Sequence, residues 1–123
     1  MPRTEQRFPS SATTPRKARR FVDTTLQEWE CDDVREDADL LTGEVVADAV
    51  RQAPSQVALL VEHADGVVRV EVSDDPGLVL EPSSADFERR TSRRLLERLT
   101  RRWGSDTDRS RTTTWFELLR RTR

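Results

Sequence analysis

The chain has 123 residues, with 36% charged against 34% hydrophobic side chains, which is enough apolar material for one core and not for two. A single cysteine, Cys31, excludes an internal disulfide and a multi-cysteine metal site, and a single histidine, His63, leaves little for zinc or a Ser–His–Asp triad. The net charge of −2 conceals three blocks: residues 1–21 hold six basic and one acidic side chain, residues 22–86 three and seventeen, residues 87–123 twelve and five.

Residues 1–13 contain Pro2, Pro9, Ser10 and Ser11 and show little period. They read as a tail with a short edge strand near Gln6–Phe8. Thr14-Pro15 opens a helix, Thr as cap and Pro in the first turn. Ala18, Phe21, Val22, Leu26 and Trp29 fall on one face of it. A second helix begins after Asp32 or Asp33, either of which can cap it. Its apolar stripe is Val34, Ala38, Leu41, Val45 and Ala49, its first turns carry Glu36, Asp37 and Asp39 where the helix dipole favours them, and Pro54 ends it. Gln56–His63 is an apolar strand, and Val68, Val70 and Val72 alternate with polar residues as in a half-buried strand. Ala64-Asp65-Gly66 joins the two as a hairpin turn. Residues 74–87 read as a loop, Leu95, Leu96, Leu99 and Trp103 as a third helix, 104–111 as a polar turn, and Thr113–Leu119 as a last strand with Trp115 and Phe116 as core candidates. Trp29 and Trp103 also read as core residues, Cys31 as an inert small side chain and His63 as a surface residue. The expected class is α+β, a two-layer sandwich with a mixed sheet and helices on one face. The domain spans 14–119, between the N-terminal segment and a basic tail, 120–123. The longest apolar run, Val57–Val61, is far too short to cross a bilayer, and the N-terminus lacks the apolar stretch of a secretory signal. The expected compartment is the cytoplasm, with no membrane partner.

Glu44 and Asp48 stand four apart on the second helix and share a face that Arg51 and Gln52 extend. Two such carboxylates repel each other, and a divalent cation would remove the repulsion; a solvated acidic face is the plainer reading. Gly43, in mid-helix, costs about 1 kcal/mol against Ala, which the close approach of a ligand or a neighbouring backbone would explain. Asp74 closes an alternating strand beside a Pro/Gly loop, where a carboxylate can accept hydrogen bonds from a ligand or simply start the loop.

With these residues in place, the chain resembles the Bergerat-fold ATPases, the superfamily of gyrase, histidine kinases and anti-sigma-factor serine kinases, and more narrowly the small stand-alone ATP-binding regulators of actinomycetes. Pro15–Val22 (PRKARRFV) is similar to that family's first helix and Asp39–Gln52 (DLLTGEVVADAVRQ) to its N-box helix, usually ELVxNAVxH. Val70–Asp75 (VEVSDD) is similar to its strand ending in the adenine-binding Asp, and Arg102-Trp103-Gly104 with Thr113–Leu118 (TTWFEL) to its closing segments. The resemblance implies ATP and Mg²⁺ as cofactors. It implies Glu44 as the general base toward a serine hydroxyl or water, Asp74 as acceptor of the adenine amino group, Thr113 as its helper, and Asp48 in the place of the Asn that holds Mg²⁺.

The sequence departs from the pattern at each phosphate-handling position. Asp48 keeps an oxygen ligand for Mg²⁺ but loses the amide donor and adds negative charge. Gln52 replaces the usual His or Lys after Arg51. The first glycine box, normally DxGxG, is Asp74–Leu78, where Gly77 alone remains. The lid motif, usually GRGL, aligns with Arg90-Thr91-Ser92-Arg93. Side chains at Arg90 and Ser92 hinder the close backbone approach that cradles phosphate. Arg89, Arg90, Arg93 and Arg94 supply charge there instead, for phosphate or for a partner. Three functions follow as alternatives. One is an active ATP-dependent serine/threonine kinase of the anti-sigma type. The second is a divergent regulator with a degenerate ATP site that binds a sigma factor, an anti-sigma antagonist or a DNA-binding regulator, with a homodimer possible. The third is a nucleic-acid-binding module using Arg89–Arg102 and the tail. The departures favour the second, because phosphoryl transfer depends on positioning and electrostatics.

Overall fold

The computed structural model describes residues 2–52, 56–74, 85–108 and 111–121, with backbone alone at 52, 85–91, 107 and 108. In chain order the elements are β1 (Arg3–Pro9), α1 (Thr14–Glu28), a 3-10 turn (Asp32–Val34), α2 (Arg35–Gln52), β2 (Gln56–Ala64), β3 (Val67–Asp74), α3 (Ala85–Leu99), β4 (Arg102–Asp108) and β5 (Arg111–Leu119). The strands form one sheet in the order β1-β2-β3-β5-β4. The architecture is the expected α+β two-layer sandwich, with the helices packed on one face.

That face is built by alternation. Val57, Leu59 and Val61 of β2, Val68, Val70 and Val72 of β3, and Phe116 and Leu118 of β5 are buried. They meet Val22 and Leu26 of α1, Leu41 and Val46 of α2 and Leu96 of α3 in one core. The β2–β3 hairpin closes where expected, with Asp65 at φ 53° and Gly66 at φ 75°, the left-handed pair that a two-residue turn matching the sheet twist requires.

Several expectations are corrected. The sheet is antiparallel at all four pairings, not mixed. A parallel pair needs a crossover between neighbouring strands. Here the crossover through α3 lands on β4, which pairs with β5, so β5 stands between β3 and β4. Residues 104–108 are strand, not turn, and Trp103 belongs to β4 rather than to α3. Arg102–Asp108 is polar and paired on one side only, so it lacks the alternation that marks a half-buried strand. Asp74 closes β3 and 85–87 open α3; the rest of the expected 74–87 loop lies outside the described residues. Thr14 is not the cap of α1 but its first helical residue. Its Oγ1 donates to the carbonyl of Pro9 at 2.5 Å, which ties α1 to β1.

Trp115 is on the open face of the sheet, not in the core. The Arg69 guanidinium stacks 4.2 Å from its ring centroid and that of Arg102 lies 5.8 Å away. Both arginines also donate to Glu117, at 3.1 Å each. At the C-terminus Arg120 is docked rather than loose. Its Nε lies 2.6 Å from Asp33 Oδ1, and it donates to the carbonyl of Glu30 at 3.1 Å and to Cys31 Sγ at 3.3 Å.

Candidate functional site

A cleft of about 460 Å³ opens between α2, α3 and the β3–β5–β4 end of the sheet. Three helical positions one turn apart, Val45, Asp48 and Ala49, form one wall, and Ser92, Arg93 and Leu96 of α3 face them. The sheet contributes alternate residues: Val72 and Asp74 from β3, Thr112 and Thr114 from β5. Trp103, Gly104 and Ser105 of β4 complete it. The volume and the mix of apolar walls with a few polar groups match small-molecule sites.

Asp74 is on the buried face, 7% exposed. The β3–β5 ladder ends at Ser73 opposite Thr113, and the Asp74 side chain extends it, its Oδ1 accepting the Thr112 backbone N–H at 2.6 Å. Asp48 receives Ser92 Oγ on Oδ2 at 2.6 Å and Arg51 Nη1 on Oδ1 at 3.0 Å. Ser92 is buried, and 2.6 Å is the length of a hydroxyl–carboxylate bond strengthened by charge. Arg93 stacks over Trp103 at 5.6 Å and pairs with Glu97 at 3.5 Å. Ser105 and Thr114 share a hydrogen bond of 3.2 Å across the β4–β5 pair.

Of the residues singled out from sequence, Asp48, Asp74 and Ser92 meet in this cleft, with Arg51 at its margin through Asp48. Glu44 and Thr113 do not join them. Glu44 opens instead on a separate groove between α1 and α2, with Arg16, Arg19 and Leu40. That groove reaches Leu99, the last residue of α3. Thr113 alternates with the two threonines that line the cleft. It lies on the open face, bonded through Oγ1 to Ser73 Oγ at 3.0 Å, while Thr112 and Thr114 line the cleft. Gly77 falls outside the described residues. Gly43 is explained by neither a ligand nor a backbone: a Cβ there would sit 2.8 Å from Cδ of Arg19, whose side chain crosses α2 at that point. Sequence reading missed Thr112, Thr114 and Ser105 as lining residues. The period of two running back from Phe116 identifies the threonines, but only once β5 is given the right face.

The described residues fit a resident Mg²⁺ poorly. Among them no group of three or more His, Cys, Asp or Glu is placed to hold a metal. Asp48, the expected ligand, already holds a guanidinium that would compete with the cation. Outside the cleft, Cys31 is fully buried. Burial pushes its thiol up, against the nearby Arg120 guanidinium which lowers it. Its Sγ lies 3.6 Å from His63 Nδ1. A buried thiol of raised pKa is an inert one.

No protein-family model matches the chain, and no curated protein matches it. Among solved structures, the Acinetobacter baumannii histidine kinase AdeS matches with a TM-score of 0.57, covering 99% of this chain and 70% of that one at 12% identity. At that identity the likeness is one of fold, and it supports a distant histidine-kinase-like two-layer sandwich. Among the described residues no helix is long and apolar enough to cross a membrane.

Proposed function

We propose that the protein is a divergent anti-sigma-like regulator with a degenerate ATP site, acting by binding a transcriptional regulator or its antagonist. The observation that carries this reading is the separation of Glu44 from the cleft that holds Asp48 and Asp74. A general base must reach the proton it abstracts, directly or through one water. Glu44 lines a different groove, which counts against it as the base for a nucleophile bound beside Asp48. The Ser92 and Arg51 hydrogen bonds on Asp48 point the same way, since they stand where a metal–phosphate complex would be held. The nucleic-acid reading loses support, because Arg93, Arg102 and Arg120 are engaged in ion pairs with Glu97, Glu117 and Asp33.

Calorimetry with ATP and ADP, with and without Mg²⁺, tests the reading alongside a phosphate-release assay. Weak binding that Mg²⁺ does not strengthen, with no turnover, is the expected result. Asp74→Asn keeps an acceptor for the Thr112 N–H and should weaken ATP more than GTP. Micromolar, Mg²⁺-dependent binding with turnover that Glu44→Ala abolishes would establish the active kinase instead. The partner is then sought by pull-down with the candidate regulators.

A further inference from the structure

We propose that a second copy of this chain docks on the exposed face of α1 and α2, antiparallel to the first, around a two-fold axis. The surface lies away from the cleft and does not depend on how the cleft is read. The two helices form an antiparallel hairpin whose contacts fix what lies where. At one end Ser10 Oγ donates to the Val50 carbonyl at 3.2 Å. In the middle Arg19 lies against Gly43. At the other end Arg35 holds Asp23 through two bonds, of 2.9 and 3.0 Å. Arg16, with Arg19 and Arg20 after it, therefore stands toward the first end, and Glu36 and Asp39 stand toward the second. Leu40 lies between them, 45% exposed, one of two large hydrophobic side chains left exposed among the described residues.

Neither end is neutralised within the chain. Among the described residues no ion pair engages Arg16, Arg19, Arg20, Glu36 or Asp39. The basic end also opposes its own helix. No acidic residue stands in the first turn of α1, and Arg16 and Lys17 occupy it, where the macrodipole favours anions. Carboxylates brought by another molecule would relieve that cost. A surface that fits must be apolar at its centre, acidic at one end and basic at the other, at this spacing. The same face of a second copy is such a surface. A two-fold axis near Leu40 sets Arg16 opposite the second copy's Glu36 and repeats the pair with the roles exchanged, as an isologous contact does. It also covers both Leu40 side chains. α1 and α2, 15 and 18 residues long, present a face of about 25 by 20 Å. That is less than the standard footprint of about 800 Å² per partner, so the dimer is a weak, exchanging one.

Sedimentation equilibrium of the full chain tests this. The wild type should show a monomer–dimer equilibrium of micromolar affinity at low salt, weakened about tenfold by 0.5 M salt. Arg16→Glu and Glu36→Arg each turn both copies of the pair into like charges, and each should weaken the dimer about tenfold. Mixed one to one, the two variants should associate at least as well as the wild type, because the acidic pair of one then faces the basic pair of the other. Both positions are exposed, and circular dichroism checks that the fold is kept. Should either variant fail to fold, Leu40→Ser removes the apolar centre and should return the chain to monomer. A wild type that stays monomeric up to about 1 mM at low salt overturns the inference. So does a dimer that the folded variants leave unchanged, or a one-to-one mixture that does not associate.

Discussion

At the residue scale, two glycines that look alike in sequence have opposite reasons to be there. A Cβ on Gly104 would lie 2.7 Å from the Trp115 ring, which is flanked by Arg69 and Arg102 on the open face. The indole covers the bare strand backbone, and a methyl group would have to displace a ring held by two guanidinium groups. At Gly43 the obstacle is the Arg19 side chain, which can swing aside, and the helix gains from losing a glycine. Gly104→Ala should therefore cost about 1–3 kcal/mol, as overpacking does. Gly43→Ala should be neutral or stabilising by up to about 1 kcal/mol. Urea unfolding followed by tryptophan fluorescence measures both, and equal costs would contradict this account. Gly43 was visible in the sequence as an oddity, but its cause was not, because the residue packed on it comes from another helix.

At the scale of elements, the sequence was clearest where burial on one face writes a period. β3, both strands of its hairpin, α1 and α2 were legible from Val68-Val70-Val72, Asp65-Gly66 and the apolar stripes. It was opaque where a strand is stabilised from its partner's side. β4 is held by its pairing to β5 and by Arg102 on Glu117, contacts that no period in Arg102–Asp108 records. Asp48 was singled out by its helix spacing and Asp74 by its strand end, whereas Ser92 and Thr113 were suggested only by the family resemblance, and of those two the structure brings Ser92 alone into the cleft. The Arg102–Glu117–Arg69 ladder has a measurable signature. The Arg102 hydrogen bond, aided by Arg69 against the opposing effect of burial, holds the Glu117 carboxyl below the usual glutamate value. A carboxyl depressed in the folded state stabilises the fold above its unfolded pKa and loses that contribution as pH falls through the depressed value. Stability should thus decline from about pH 4.3 downward. Glu117→Gln should flatten that limb of the stability–pH curve and cost about 1 kcal/mol at pH 7, given how exposed Arg102 is. An unchanged acid limb would mean that the ladder contributes nothing.

At the scale of the whole molecule, the segment that follows β5 is locked to the α1–α2 junction. Arg120 reaches back 87 residues to Asp33, and both side chains are close to nine-tenths buried, at 11% and 13% exposure. The Arg121 backbone N–H donates to the other Asp33 oxygen. Burial would raise the Asp33 carboxyl, yet these bonds hold it below the usual aspartate value. The lock closes over Cys31, whose thiol is sealed from solvent and receives a hydrogen bond from the same guanidinium. Because β5 is an interior strand that ends at this clasp, loosening Arg120 releases both the last strand and the turn that leads into α2, the helix carrying Asp48. Arg120→Ala should cost about 3 kcal/mol, the loss expected when one partner of a nearly buried ion pair is removed. Cys31 gives an independent reading: in the native wild type it should react with a thiol reagent only as fast as the protein opens. In Arg120→Ala it should react many times faster under conditions where the fold remains intact by circular dichroism. If labelling stays slow while stability falls, the clasp supports the fold without gating the junction. If neither changes, Arg120 has no role in holding the sheet to the helices.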